Sequence, residues 1–134
     1  MTKLQKLKKE IQKAVPEIMK WNVGCKVEEI KTKDISTLIR KDNRYQTFDL
    51  LVEGNDIVHW YHEKRETLKV LGRPITLEDV LVALKLDVES KSNLKRKYSE
   101  TTILCLSKKW QLNTPLDQQS EKTIDFLHEL LVNR

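Results

Sequence analysis

The stretch Gln46-Thr47-Phe48-Asp49-Leu50-Leu51-Val52-Glu53-Gly54-Asn55-Asp56-Ile57-Val58-His59-Trp60-Tyr61-His62-Glu63 is the clearest sheet element in the chain. Two runs rich in β-branched and aromatic residues flank Gly54-Asn55, a pair suited to a tight two-residue hairpin turn. In that register Phe48, Leu50 and Val52 share a face with Ile57, His59 and Tyr61. Asp49 and Leu51 share the other face with Val58, Trp60 and His62, because side chains alternate along a strand. Both faces carry bulk, so this reading gives a hairpin covered in part on both sides.

Toward the N-terminus, residues 2–20 read as one helix. Leu4, Leu7, Ile11, Ala14, Val15 and Ile18 recur at helical spacing, with Lys6, Lys9, Lys13 and Lys20 opposite. Thr2 and Gln5 have the spacing of a capping box. Pro16 lacks a backbone donor and crowds the carbonyl of Gln12, so the reading is a helix kinked near Val15. Val23, Cys25 and Val27 alternate with Gly24, Lys26 and Glu28, which predicts a strand within 23–31. Residues 32–46 are polar and fit either a helical turn or a strand around Thr37–Arg40.

Beyond the hairpin, Thr67–Leu71 predicts a further strand. Leu71-Gly72-Arg73-Pro74-Ile75-Thr76-Leu77-Glu78-Asp79-Val80-Leu81 then delivers a helix. Thr76 is placed to cap it, Asp79 stands where a reciprocal carboxylate belongs, and Ile75 with Val80 forms a hydrophobic staple. The helix runs from Leu77 to about Leu86, with Leu77, Val80, Leu81 and Leu84 inward. Residues 88–97 read as a charged loop. Leu94, Tyr98, Thr101 and Cys105 then recur at helical spacing, and helix is preferred there over a strand at 101–106. In Trp110-Gln111-Leu112-Asn113-Thr114-Pro115-Leu116-Asp117, Thr114 is a good cap and Pro115 fits the first helical position. Leu116, Thr123, Ile124, Leu127, Leu130 and Leu131 trace the inward stripe of a last helix.

Two of these stretches carry a resemblance. Leu71–Leu81, and Trp110–Ser120 leading into Thr123-Ile124-Asp125-Phe126-Leu127, resemble in this order a group of small uncharacterised bacterial proteins, some of them associated with prophages or other mobile elements. The resemblance covers the C-terminal half. It implies a single-domain accessory protein and supplies no activity and no functional residues.

The expected fold class is α+β. A small antiparallel sheet centred on hairpin 46–63 packs against an N-terminal helix and two or three C-terminal helices. At 134 residues the expectation is a single domain spanning 1–134. Cys25 and Cys105 each lie among apolar neighbours and read as buried, reduced thiols. No apolar run approaches about 18 residues, so no membrane span is expected and cytoplasmic residence follows by default.

The net charge of +5 is unevenly spread. Residues 1–20 carry six Lys against Glu10 and Glu17, and residues 91–109 carry six basic residues against Glu100. Basic segments of this kind meet acidic partners or nucleic acid. A solvated lysine surface is the preferred reading, because lysine outnumbers arginine and no base-stacking aromatics accompany it.

Chemistry is harder to find. His59 and His62 point to opposite faces of the expected strand and cannot share a metal, so neither a metal nor a cofactor is expected. His59 reads as a partly buried hydrogen-bonding residue, with His62 and His128 at the surface. No nucleophile elbow and no glycine-rich phosphate loop occurs. Trp60, Tyr61 and Trp110 fit packing better than an exposed recognition patch.

The preferred function is therefore a non-catalytic interaction or accessory protein with an unknown protein partner, binding around Arg73 or around Gln118 and Gln119. The alternative is nucleic-acid binding, with phosphate contacts from Lys6, Lys9, Lys13, Lys95, Arg96 and Lys97. The third is a cryptic enzyme, which requires a cleft where His59 or His62 meets a carboxylate from another element.

Overall fold

The computed structural model describes residues 1–54, 56–90 and 96–132. The fold is α+β: an N-terminal helix, a five-stranded antiparallel sheet and C-terminal helices. Its contacts divide into two compact units, Glu17–Pro74 and the pair of segments Met1–Pro16 and Ile75–Arg134.

The first unit is the sheet. Strands β1 (Lys26–Glu29), β2 (Ile35–Asp42), β3 (Thr47–Leu51), β4 (Ile57–Tyr61) and β5 (Leu68–Gly72) stand in the order β4-β3-β2-β1-β5. Successive strands β1 to β4 form a meander, and β5 returns antiparallel beside β1. A 3₁₀ turn, His62–Thr67, carries the chain from β4 to β5. The segment 32–46, ambiguous in sequence, supplies β2, which shifts register between Leu38 and Arg40. An extra residue of this kind bends a strand and strengthens its twist.

Cys25, Val27, Leu38, Phe48, Leu50 and Leu68 form the buried core of this unit, with Trp21, Trp60 and Val70 against it. Phe48 is its centre. The Trp21 ring meets it edge-on at 5.0 Å and Trp60 stacks on it at 6.0 Å. Such aromatic pairs add stability beyond the area they bury.

The hairpin exists, but its register differs from the sequence reading. Phe48 pairs with Trp60, Asp49 with His59 and Leu50 with Val58. Val52 N–H donates to the Asp56 carbonyl at 2.9 Å, so Val52 and Asp56 close the hairpin instead of Glu53 and Asp56. Gly54 adopts φ +91°, in the left-handed region that glycine tolerates. A one-residue shift moves every side chain to the other face. Here it brings Trp60 onto Phe48 and leaves His59, with Asp49, on the opposite face. Burying an indole stabilises more than burying an imidazole, and that sets the register.

The second unit is helical: α1 (Lys3–Ala14), α2 (Leu77–Ser90), α3 (Glu100–Lys109) and α4 (Glu121–Leu131). Helix α1 packs against α4 and α2, and α2 packs against α3. The capping box at α1 is complete. Gln5 N–H donates to Thr2 Oγ1 at 3.1 Å and Thr2 N–H to Gln5 Oε1 at 2.9 Å. Leu7 and Ile11 of α1, Val80 and Leu84 of α2, and Leu127 of α4 are fully buried or nearly so.

Four sequence expectations need correction. The N-terminal helix ends at Ala14 and does not continue, kinked, to residue 20. Val15, ahead of Pro16, takes φ −121° and ψ 79°, and Pro16–Met19 form a separate 3₁₀ turn. Steric clash with the proline ring disfavours helical backbone for the residue before it. Helix α2 runs to Ser90, past Leu86, because Val88 is buried and the Asp87 carboxylate accepts a short hydrogen bond from the Tyr98 hydroxyl. Helix α3 begins after Ser99, which caps Thr102 N–H, and it buries Ile103. Its inner side is not Thr101 and Cys105; both are exposed, and Leu94 lies outside the described residues. Finally, α4 is capped by Ser120 and not by Thr114. Pro115 is extended and opens only the short 3₁₀ turn Leu116–Gln118.

Among the described residues no helix is long and apolar enough to cross a membrane.

Of the three glycines, Gly72 has the least latitude. At φ +94°, an added Cβ would lie 2.8 Å from Met19 Sδ and 3.0 Å from the Ile18 carbonyl oxygen. Gly72→Ala is expected to destabilise the protein by about 2–3 kcal/mol in urea unfolding, and Gly54→Ala, with open space around it, by about 1 kcal/mol. Equal effects would contradict the close approach at Gly72.

Candidate functional site

A broad groove lies in the helical unit, and a backbone joint builds it. The first amides of a helix have no partner within it. In α2 they are met by a distant loop. Leu77 N–H donates to the Thr114 carbonyl and Glu78 N–H to the Leu112 carbonyl, both at 3.0 Å. In return Leu116 N–H donates to the Ile75 carbonyl at 2.8 Å, with Thr76 bridged to Pro115. The stretches singled out in the sequence are thus hydrogen-bonded to each other.

Asp79 completes this end of α2. It is almost fully buried, and it accepts from Thr76 N–H at 2.9 Å and from Thr76 Oγ1 at 3.3 Å. The carboxylate reaches back as the capping-box spacing implied, while the threonine hydroxyl donates to it. A negative charge at a helix N-terminus is also favoured by the aligned peptide dipoles.

Leu116, fully buried, pins the loop from below. Above it opens a groove of about 730 Å³ walled by Leu77, Leu106, Trp110 and Phe126, with Gln111, Thr114, Gln119 and Thr123 as polar lining. Trp110 ends α3, where its N–H donates to the Leu106 carbonyl at 2.9 Å. Phe126 is 45% exposed, on the side of α4 away from Ile124 and Leu127. Lys109 and Lys122 stand on the wall, and among the described residues no carboxylate lines it. Gln119 is held by its amide, whose Nε2 donates to the Pro115 carbonyl at 3.4 Å. The result is a concave apolar surface with a half-buried Trp110, an exposed Phe126 and a positive rim.

The residues expected to bind are placed as follows. Gln119 lines this groove, and Gln118 is exposed beside it. Arg73 belongs to the sheet unit, where it lines a hollow of about 190 Å³ with Glu17, Lys20, Asn22, Val23 and Cys25, and donates to the Pro74 carbonyl at 3.2 Å. Burial raises the Cys25 thiol above its ordinary range, despite backbone hydrogen bonds from Gly72 and Asn22 and the nearby charge of Arg65. It is a poor nucleophile for that reason.

Lys6, Lys9 and Lys13 form one exposed stripe on α1. Their neighbours are neutralised: Lys3 pairs with Asp125 at 3.2 Å and Lys8 with Asp117 at 2.6 Å. In the second basic segment Lys97 pairs with Glu129 at 3.3 Å and Arg96 is half-buried. Lys95 lies outside the described residues.

On the sheet, His59 Nδ1 meets Asp49 Oδ1 at 2.5 Å across β3 and β4. The pair lines an open groove of about 390 Å³ with Arg40, Tyr45 and Tyr61. The His59 side chain is 63% exposed, where partial burial was expected, and among the described residues no serine or cysteine lines the groove. His128 was expected at the surface and is half-buried.

Sequence reading missed Trp110, Phe126, Lys109 and Lys122 as one surface. The available signal was Phe126, an aromatic off the inward stripe of its own helix. Comparison of the chain with known protein families, with curated proteins and with solved structures finds no match.

Asp79→Ala leaves the Thr76 amide without its carboxylate. It is expected to lower stability by about 1–2 kcal/mol in denaturant unfolding. A neutral substitution would show that the joint does not need the side chain.

Proposed function

We propose that this chain is a small accessory protein that works by holding a protein partner and not by turning over a substrate. The observation that carries this reading is the groove at Trp110 and Phe126. Phe126 is exposed there and Trp110 half-buried, and aromatics in a concave apolar wall are typical anchors of binding energy at interfaces. The lysines at its rim, with no carboxylate lining it among the described residues, favour a segment that combines an apolar anchor with acidic residues.

Catalysis is less well supported. The His59–Asp49 pair is oriented as acid–base chemistry would require, yet it sits on an open, exposed face without a nucleophile beside it. Nucleic-acid binding has one favourable observation: Lys6, Lys9 and Lys13 are aligned and are not in ion pairs among the described residues. Its signature is affinity that falls steeply with added salt.

The test is titration of the labelled protein with acidic amphipathic peptides carrying Leu or Phe anchors, followed by amide chemical shifts. Shifts are expected at Leu106, Trp110, Gln119 and Phe126. Trp110→Ala is expected to weaken binding by about 2 kcal/mol, roughly thirtyfold. Lys109→Glu with Lys122→Glu is expected to weaken it for acidic peptides alone. Shifts confined to other surfaces, or robust turnover in a broad substrate panel, would contradict the proposal.

A further inference from the structure

Strand β4 is the outer strand of the sheet at one side, and nothing in Ile57–Tyr61 guards its free edge. Natural sheets protect such edges with lysine, proline, a bulge or a covering element. Ile57-Val58-His59-Trp60-Tyr61 contains no lysine, proline or glycine, and its pairing with β3 runs without a register shift. Ile57 is 63% exposed, Val58 40% and Tyr61 64%.

The ladder on the inner side determines what the free edge offers. Val52 N–H donates to the Asp56 carbonyl and His62 N–H to the Gln46 carbonyl. Bonded rungs recur every second residue in an antiparallel pair. Asp56, Val58, Trp60 and His62 therefore turn their backbone groups inward to β3. Ile57, His59 and Tyr61 turn theirs to the open edge.

We infer that this edge pairs with β4 of a second copy of the chain, antiparallel and symmetric about His59. That register makes a bonded rung of every outward residue: His59 with its own copy, and Ile57 with the copy's Tyr61 in both directions. Registers slipped along the strand leave outward groups unpaired. The same register sets Val58 opposite Trp60 and Ile57 opposite Tyr61, both aromatic on β-branched, which are favourable cross-strand neighbours. It also sets Asp56 opposite His62 at each end, an acid facing a base. The interface is isologous, since one strand supplies both halves, and it joins the sheets of the two copies into one. An extended peptide from another protein would gain the backbone rungs but not this matched set of side chains.

The test uses the full chain. Sedimentation velocity over about two decades of concentration should show a monomer–dimer equilibrium. His59→Lys places like charges opposite each other at the symmetry axis and should raise the dissociation constant at least about tenfold. His59→Pro removes an outward N–H, which an edge strand tolerates, and should leave a folded monomer. In a Cys105→Ser background, His59→Cys should give a disulfide-linked dimer, because Cα atoms of a bonded pair lie about 5.5 Å apart. Ile57→Cys should not, since residue 57 lies roughly 14 Å from its own copy in this register. A strictly monomeric chain would overturn the inference. So would a dimer unaffected by both substitutions at His59, cross-linking equal at 57 and 59, or edge amides that respond only to an added extended peptide.

Discussion

The helical unit depends on one exchange of backbone hydrogen bonds. The amides of Leu77 and Glu78 have no partner within α2, and the carbonyls of Thr114 and Leu112 accept from them. The bond from Leu116 N–H to Ile75 closes the exchange. A buried amide without a partner costs more than a formed hydrogen bond contributes. Once Ile75, Leu77 and Leu116 are buried, the loop therefore has few other places to go. Trp110 then stands at one wall of the groove and the start of α4 at the other. The joint and the groove have one cause.

Charge follows the same frame. Lys3 and Lys8 of α1 reach Asp125 on α4 and Asp117 in the turn before it, and Lys97 reaches Glu129 on α4. Exposed pairs of this kind contribute little stability each. Their effect is on distribution: they cancel cations that a count along the sequence would assign to a binding surface. The stripe of Lys6, Lys9 and Lys13, and the rim of Lys109 and Lys122, stay outside these ion pairs among the described residues. In the sheet unit the organising contact is apolar. Phe48 gathers Trp21 and Trp60, and the register of β3 and β4 follows from that stacking.

Features that a few neighbouring residues determine were legible in the sequence. Thr2 and Gln5 form their box, Asp79 reaches Thr76, and Gly54 turns the hairpin. Features determined across the fold were not. The hairpin's partners shift by one residue because Trp60 packs on Phe48, which no local pattern encodes. Thr114 has every mark of a helix cap, yet its carbonyl serves another helix, and Ser120 caps α4 instead. Cys105 and Thr101 lie at helical spacing with Tyr98, but Tyr98 precedes α3 and is buried, whereas Thr101 and Cys105 within the helix face outward. The groove was hidden for a related reason: its walls come from Leu77, from the end of α3 and from α4. Gln119 was picked out for its place in a conspicuous loop, whereas Trp110 and Phe126 needed the fold to bring them together.

Amide hydrogen exchange followed by NMR tests the central claim most directly. If the 75–78 and 112–116 segments hold each other, the amides of Leu77, Glu78 and Leu116 will exchange as slowly as those in the middle of α2, opening only with the helical unit. Exchange of these amides at the rate of exposed loop residues, while the middle of α2 stays protected, would contradict it.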